Sequence, residues 1–210
     1  MSRLRSELKT GFYTVSSLLS FLLLKVLFRL RIEGRASVPH DQGFIVVARH
    51  RSYWDILMMI AAFGPRHQLH FVARKGLLRG LPFLQPLIRT YSTVIDREDF
   101  GVGDYRKMIA AARDHRLVCV FPEGTTRRRG DAKAGARYLA TSADKRILPV
   151  NIHAEGPYPP KYPFRFPRTR VSIGSPVRVE ELDTQDGDTA RRSERYREMS
   201  ERLMERVDRA

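Results

Sequence analysis

From residue 43 onward, short runs of apolar and β-branched residues alternate with segments whose apolar residues recur at helical spacing. This alternation is typical of α/β domains, in which helices flank a mostly parallel sheet. The predicted strands are 43–49, 69–74, 92–96, 117–121, 147–153 and 169–174, and the predicted helices among them are 52–63, 104–115 and 134–143. The sequence therefore predicts an α/β fold with a mostly parallel central sheet flanked by helices.

The chain has 210 residues, the length of a single domain with one core. We divide it into an amphipathic helical segment over residues 1–35 and a folded domain over residues 36–210. Its one cysteine, Cys119, excludes a disulfide within the chain and favours a reducing compartment. The charged tail at 190–209 has an apolar face and predicts a packing helix.

Residues 14–30 predict an amphipathic helix whose apolar stripe would lie in a membrane interface. The stripe consists of Val15, Leu18, Leu19, Leu22, Leu23, Val26, Leu27 and Leu30. Lys25 and Arg29 interrupt the apolar run, so we expect the helix to lie in the membrane plane rather than to span the bilayer. The alternative is a helix that covers the domain's own core. A cleavable signal peptide is disfavoured because no small-residue cleavage site follows.

Lys and Arg number 38 against 23 Asp and Glu, which gives a formal charge of +15. Such a charge favours anionic partners, namely nucleic acid, an anionic membrane surface or phosphorylated substrates. We find no zinc finger, RNA-binding strand motif or recognition-helix pattern, and this disfavours nucleic acid.

The stretch RHRSYWD places His50 between a predicted strand and a predicted helix. Ser52 and Asp55 have the spacing of a capping box, which predicts a helix that begins at Ser52. His50 and Asp55 would then meet at one helix end, where a carboxylate can orient a histidine that acts as a general base. The alternative is that Asp55 only caps the helix.

Two further stretches could bind an anion. In VFPEGTTRRRG, a strand leads into a turn with free backbone N–H groups beside arginines suited to phosphate, and in VIDRED, Arg97 follows a strand. The alternatives are a solvated basic turn and a surface arginine paired with Asp96 or Glu98.

Four stretches together resemble the glycerolipid acyltransferase family, which includes the lysophosphatidic acid (1-acylglycerol-3-phosphate) acyltransferases. His50 to Asp55, VIDR, FPEGT and ILPV follow the order of the four motif blocks of that family and lie within residues 44–152. FPEGT is specific, and its ordered companions make a chance match implausible. The resemblance implies that residues 36–210 form an acyltransferase domain.

The resemblance assigns roles to individual residues. His50 would deprotonate an acceptor hydroxyl, and Asp55 would orient His50. Glu123, Gly124 and Thr125 would shape the acceptor pocket, while Arg97 would bind the glycerol phosphate. Lys75 matches a recurring basic position, and Gly135 fits a small residue at a helix start.

The chain also departs from the pattern of the family. Arg49 stands where the family usually has Asn, and Thr126 stands where an arginine usually follows FPEGT, so Arg127 comes one residue later. We expect Arg97 to be the main phosphate ligand, with Arg127 and Arg49 as competing second contributors. Tyr91 and Val94 replace a more typical Gly and Phe, which puts the acceptor head group in question.

The expected activity is transfer of a fatty acyl chain from a thioester to lysophosphatidic acid, which gives phosphatidic acid for phospholipid synthesis. The resemblance requires no metal or redox cofactor. The donor would be acyl-CoA or acyl carrier protein, and the enzyme would lie on the cytoplasmic face of a membrane as a peripheral or monotopic protein. Alternative acceptors are another lysophospholipid, a lyso-ornithine lipid or a glycolipid. A non-catalytic protein that binds a membrane or nucleic acid is the remaining alternative.

Overall fold

A computed structural model describes residues 2–80, 85–122, 135–161, 165–183 and 192–210. The helices are α1 (Ser2–Leu27), α2 (Trp54–Phe63), α3 (Gly76–Gly80), α4 (Gln85–Tyr91), α5 (Val102–Asp114), α6 (Gly135–Ala143) and α7 (Arg192–Arg209). The strands are β1 (Arg31–Glu33), β2 (Phe44–Ala48), β3 (Leu69–Arg74), β4 (Ser92–Ile95), β5 (Leu117–Val120), β6 (Arg146–Glu155) and β7 (Arg168–Ile173). Single turns of 3₁₀ helix lie at Arg35–Ser37 and Glu180–Leu182.

The strands form one sheet in the order β1-β7-β6-β2-β5-β3-β4. Strands β6, β2, β5, β3 and β4 pair in parallel, whereas β7 is antiparallel to β6, and the edge strand β1 is parallel to β7. The predicted α/β fold with a mostly parallel sheet is therefore confirmed. The five parallel strands end at the same edge, which we call the carboxyl edge.

Strand β2 lies in the middle of the sheet, and all five of its residues are buried. Its side chains alternate between two cores, as the twofold repeat of a strand requires. Phe44 and Val46 face the core that contains residues of α1 and α2. Ile45 and Val47 face the core that contains residues of α5, α6 and α7.

The six predicted strands and the helices predicted among them lie close to the observed ones, whereas α1 begins well before its predicted start, and β1, α3 and α4 were not predicted. β1 has only three residues, two of them charged, and therefore has no apolar run that sequence patterns detect. We also expected Pro82 and Pro86 to break regular structure. Pro86 instead lies in the first turn of α4, where its missing N–H is not required. Pro82 lies outside the described residues.

Helix α1 packs against α2 along a face that differs from most of its predicted apolar stripe. Tyr13, Ser17 and Leu24 are buried against the domain. Six residues of the stripe are exposed, namely Val15, Leu18, Leu19, Leu22, Leu23 and Val26. Most of the stripe therefore does not cover the core, whereas Leu27 and Leu30 at its end pack there. Within the described residues, Ser6–Leu27 is the one helix long and apolar enough to cross a membrane, a test of length and composition only.

Candidate active site

His50 lies at the carboxyl edge of the sheet, two residues beyond the end of β2. Because β2 is flanked by β5 and β6, His50 stands at the centre of the edge where α/β sheets usually bind ligands. Its ring stacks on Phe121, which directly follows β5, with ring centroids 4.3 Å apart. The side chain keeps 15% of its surface exposed, so a substrate can reach it.

Asp55 lies in the first turn of α2, opposite His50. The Nδ1 atom of His50 is 3.3 Å from Oδ2 of Asp55, whose side chain is fully buried. A carboxylate at this position favours the tautomer with its proton on Nδ1 and stabilises the imidazolium that forms when Nε2 accepts a proton. The two residues therefore have the geometry of a histidine base with an orienting carboxylate.

The same carboxylate caps the start of the helix. Oδ2 of Asp55 accepts hydrogen bonds from the backbone N–H groups of Arg51 (2.6 Å) and Ser52 (2.7 Å). The Ser52 hydroxyl accepts a hydrogen bond from the N–H of Trp54 at 3.3 Å. The helix thus begins two residues after the predicted start, and Asp55 contacts His50 as well as capping the helix.

Tyr158 completes this group, although the sequence did not single it out. Its hydroxyl donates a short hydrogen bond to Oδ1 of Asp55, from a position 103 residues further along the chain. Burial first, and then the negative charge of Asp55, raise the pKa of Tyr158. Only the proline-rich connection between 156 and 169 hinted at a site, because such long connections often carry functional residues.

Arg97 follows β4, which is three strands away from β2. With neighbouring strands about 4.8 Å apart, it starts roughly 14 Å from the His50 position along the carboxyl edge. Partial desolvation and, secondarily, the positive charge of Arg74 lower the pKa of Arg97. Arg74 is the last residue of β3 and was not predicted as a site residue. Two guanidinium groups close together favour a bound anion.

Lys75, the residue after β3, lies at the same edge of the sheet. Its Nζ atom is 3.1 Å from Oδ2 of Asp96, and 60% of its side chain is exposed. The hydrogen bonds from Lys75 and from the backbone of Asp99 lower the pKa of Asp96. The assignment of Lys75 to substrate binding stays a prediction.

Arg49 and His50 are neighbours in the chain, but Arg49 is directed towards the C-terminal helix. Its guanidinium makes two hydrogen bonds to the carboxylate of Asp208 in α7, at 2.7 and 2.8 Å. The alternation of side chains along β2 continues here and sends Arg49 to the α7 side. A contact between Arg49 and substrate stays a prediction, and it would compete with Asp208.

The predicted acceptor-pocket residues Glu123, Gly124 and Thr125 lie outside the described residues, as does Arg127, a predicted second phosphate ligand. The described chain reaches Pro122, directly after Phe121 beside His50, and resumes at Gly135, the first residue of α6. Over the described parts of the chain, no group of three or more His, Cys, Asp or Glu residues is placed to hold a metal ion.

A partly exposed histidine just beyond the central strand β2, beside a buried aspartate in the first turn of α2, defines an α/β domain that can activate a hydroxyl group. Residues 29–153 match the acyltransferase family, more than half of the chain. The chain belongs to this acyltransferase family. The resemblance found in the four motif blocks is thereby confirmed.

Individual relatives support this membership. A 1-acyl-sn-glycerol-3-phosphate acyltransferase of Bacillus subtilis is 26% identical over 159 residues, which cover 73% of this chain and 78% of the relative. The enzyme of that name from Streptococcus pneumoniae is 29% identical, and the match covers 81% of this chain and 64% of the relative. The alpha form from Ovis aries is 30% identical, and the match covers 80% of this chain and 61% of the relative. The chain thus spans less than two thirds of the last two relatives.

A solved structure has the same fold. The crystal structure of the 1-acyl-sn-glycerophosphate (LPA) acyltransferase PlsC from Thermotoga maritima superposes with a TM-score of 0.69. The match covers 98% of this chain and 82% of that one, at 24% sequence identity. The likeness supports the architecture described above, including the mostly parallel sheet flanked by helices.

Proposed function

We propose that this protein transfers a fatty acyl chain from an acyl thioester to the free hydroxyl of lysophosphatidic acid, which gives phosphatidic acid. The observation that carries the proposal is the contact between His50 and Asp55 at the centre of the carboxyl edge. This contact between His50 and Asp55 occurs in a chain that belongs to the acyltransferase family. The relatives of the chain include enzymes named 1-acyl-sn-glycerol-3-phosphate acyltransferase.

In the proposed reaction, Nε2 of His50 takes the proton of the acceptor hydroxyl as its oxygen attacks the thioester carbonyl. The tetrahedral intermediate collapses, the carbon–sulfur bond breaks, and the imidazolium returns the proton to the departing thiolate. Asp55 stabilises the imidazolium between the two transfers. Positioned proton transfer of this kind contributes roughly 10²- to 10⁴-fold in rate.

The reaction needs no metal or redox cofactor in this proposal, because the acyl group arrives already activated as a thioester. The donor is acyl-CoA or acyl carrier protein. Both are substrates rather than bound cofactors, and both release a free thiol.

Arg97 is the proposed ligand of the acceptor phosphate, assisted by Arg74 at the end of the neighbouring strand. Arg127, Lys75 and Arg49 remain second candidates. Removing one guanidinium contact to a charged ligand costs about 1.5 to 3 kcal/mol. Arg97→Ala should therefore lower kcat/KM for lysophosphatidic acid about 10- to 150-fold, with a smaller loss for an acceptor without phosphate. Equal losses on both acceptors would remove Arg97 from phosphate recognition.

We also propose that α1 lies in the membrane interface at the cytoplasmic face, as in a peripheral or monotopic protein. One face of α1 is packed on the domain, so lipid can reach only the opposite face, which carries the exposed apolar stripe. Lys25 lies in the last turn of α1, Arg29 and Arg31 lie just beyond its end, and all three would meet anionic head groups. Each basic residue near such a surface contributes about 1 kcal/mol.

The experiment offers purified protein a panel of lyso-lipids, with and without phosphate, together with acyl-CoA and acyl carrier protein donors. Mass spectrometry of the products identifies the acceptor and the donor directly. Phosphatidic acid as the main product supports the proposal. A different acylated lipid would keep the reaction class and change the acceptor, and no acylated product from any pair would reject the proposal.

A further inference from the structure

The two oxygens of the Asp55 carboxylate have different partners. Oδ2 is shared by the backbone N–H groups of Arg51 and Ser52 and by His50. Oδ1 receives the hydroxyl of Tyr158, which lies on the connection between β6 and β7. One tyrosine from a distant part of the chain therefore holds the side of the carboxylate that faces away from His50.

The contact with His50 is the weakest of those at Oδ2. The two backbone N–H groups lie at 2.6 and 2.7 Å, whereas Nδ1 of His50 lies at 3.3 Å. At 3.3 Å, the contact with His50 can lengthen least before it ceases to be a hydrogen bond when the carboxylate rotates about its Cβ–Cγ bond. The orientation of this group thus decides whether Asp55 serves His50.

Tyr158 is itself held in place. The guanidinium of Arg51 lies over its ring, 5.0 Å from the centroid, and its hydroxyl is 3.8 Å from the sulfur of Met58. Burial and the charge of Asp55 raise the pKa of Tyr158, so the hydroxyl keeps its proton and remains a donor. Asp55 is fully buried, so water cannot readily replace this donor.

We propose that Tyr158 is a positioning residue for acyl transfer, whose hydroxyl fixes the Asp55 carboxylate so that Oδ2 stays directed at Nδ1 of His50. This role rests on the proposed function of His50 as the base. Tyr158 acts through Asp55 and contacts neither substrate nor the reacting atoms. Its effect must therefore appear in turnover, and it must disappear when the Asp55 carboxylate is absent.

A double-mutant cycle tests this dependence, with Tyr158→Phe, Asp55→Asn and the two combined. Tyr158→Phe should lower kcat about tenfold, the equivalent of one lost hydrogen bond to a charged group, with KM for the lysolipid within about twofold. In the Asp55→Asn background, the same change should alter kcat by less than about twofold. Rates are expressed per folded enzyme, with the folded fraction measured by circular dichroism.

Tyr13→Phe is the matched control because it also removes a buried tyrosine hydroxyl. That hydroxyl accepts a hydrogen bond from the N–H of Leu69 at 3.0 Å, at the opposite edge of the sheet from His50. We expect Tyr13→Phe to lower the unfolding temperature and to leave kcat unchanged. A lower kcat in both tyrosine variants would indicate a general structural effect and would overturn the proposal.

A second measurement does not depend on activity. Nitrogen-15 NMR of the imidazole groups, with His50 identified by the signals lost in His50→Ala, should show its proton on Nδ1 in the wild type. Tyr158→Phe should increase the share of the other tautomer. If Tyr158→Phe leaves the tautomer of His50 unchanged and kcat within twofold of the wild type, the positioning role of Tyr158 alone is overturned. If the wild-type protein shows no acyl transfer, the proposed function itself is rejected.

Discussion

Among single residues, Asp55 joins the start of α2 to the proposed chemistry, because its Oδ2 atom receives two backbone N–H groups as well as His50. The spacing of Ser52 and Asp55 predicted the cap, and the motif predicted the contact with His50. Tyr158 could not be predicted in this way, since its contact depends on how a connection 103 residues away folds back. The direction of Arg49, in contrast, follows from simple strand alternation.

The Asp55→Asn variant separates the two roles of this carboxylate. The amide oxygen can still accept the backbone N–H groups, so we expect a loss of about 1 to 2 kcal/mol in the free energy of unfolding. Turnover should fall about 100-fold or more, because an amide carries no charge to stabilise the imidazolium. Urea unfolding and acyl-transfer rates measure the two effects. A loss of turnover no larger than the loss of folded protein would mean that Asp55 only caps the helix.

At the scale of elements, periodicity predicted six strands and the flanking helices because long apolar runs and apolar stripes dominate them. It missed β1, which belongs to the sheet through its pairing with β7 rather than through an apolar pattern. For α1, the stripe predicted an amphipathic helix but could not show which face packs on the domain. That depends on close packing of small residues such as Ser17 and Ser20 against the core.

The exposed and buried faces of α1 should respond differently to substitution. Leu19→Asp combined with Leu22→Asp changes two side chains that are each 62% exposed, so stability should hardly change while binding to anionic liposomes falls. Leu24→Ala removes a fully buried side chain and should cost about 2 to 5 kcal/mol of stability without weakening binding of the folded protein. Sedimentation with anionic liposomes measures membrane binding, and urea unfolding measures the stability of each variant. Undiminished liposome binding by the double variant would exclude the stripe as the membrane contact.

At the scale of the whole molecule, the edge of the sheet opposite His50 carries buried histidines. His70 stacks on His115 with centroids 3.7 Å apart, and its Nε2 lies 2.9 Å from Oγ1 of Thr93. Burial, then the charges of His115 and Lys9, lower the pKa of His70 to about 3.

His67 lies at the same edge and is also held in its neutral form. Burial, then the charges of Arg116 and His40, with smaller contributions from Arg35 and Arg66, lower the pKa of His67 to about 4. The ring nitrogen Nδ1 lies 2.8 Å from the guanidinium of Arg116, which makes protonation at this atom unfavourable.

These shifts predict how stability depends on pH. Both histidines have a lower pKa in the folded state than the unfolded value of 6.5, so below that pH the unfolded chain binds more protons. The free energy of unfolding should therefore fall as the pH decreases from 6.5 towards 4. His70→Gln should make this decline shallower. Urea unfolding at a series of pH values measures the decline, and an equal decline in the wild type and His70→Gln would contradict this account.

The order of strands in the sheet is the part of the whole fold that local patterns leave open. Every strand except β1 is visible in the sequence, but the placement of β2 between β5 and β6 depends on contacts between residues that are about 70 to 100 positions apart. The motif predicted that His50 and Asp55 form a catalytic pair. The finding that His50 stands at the centre of the carboxyl edge, and that Arg74 ends the strand next to β4, required the assembled sheet.

The most direct test of the central claim compares wild-type protein with His50→Ala, each given lysophosphatidic acid and an acyl thioester. Mass spectrometry measures phosphatidic acid, and circular dichroism confirms that both proteins are folded. The wild type should form phosphatidic acid, and the folded His50→Ala variant should form none above the uncatalysed background. Full activity in folded His50→Ala would contradict the assignment of His50 as the base.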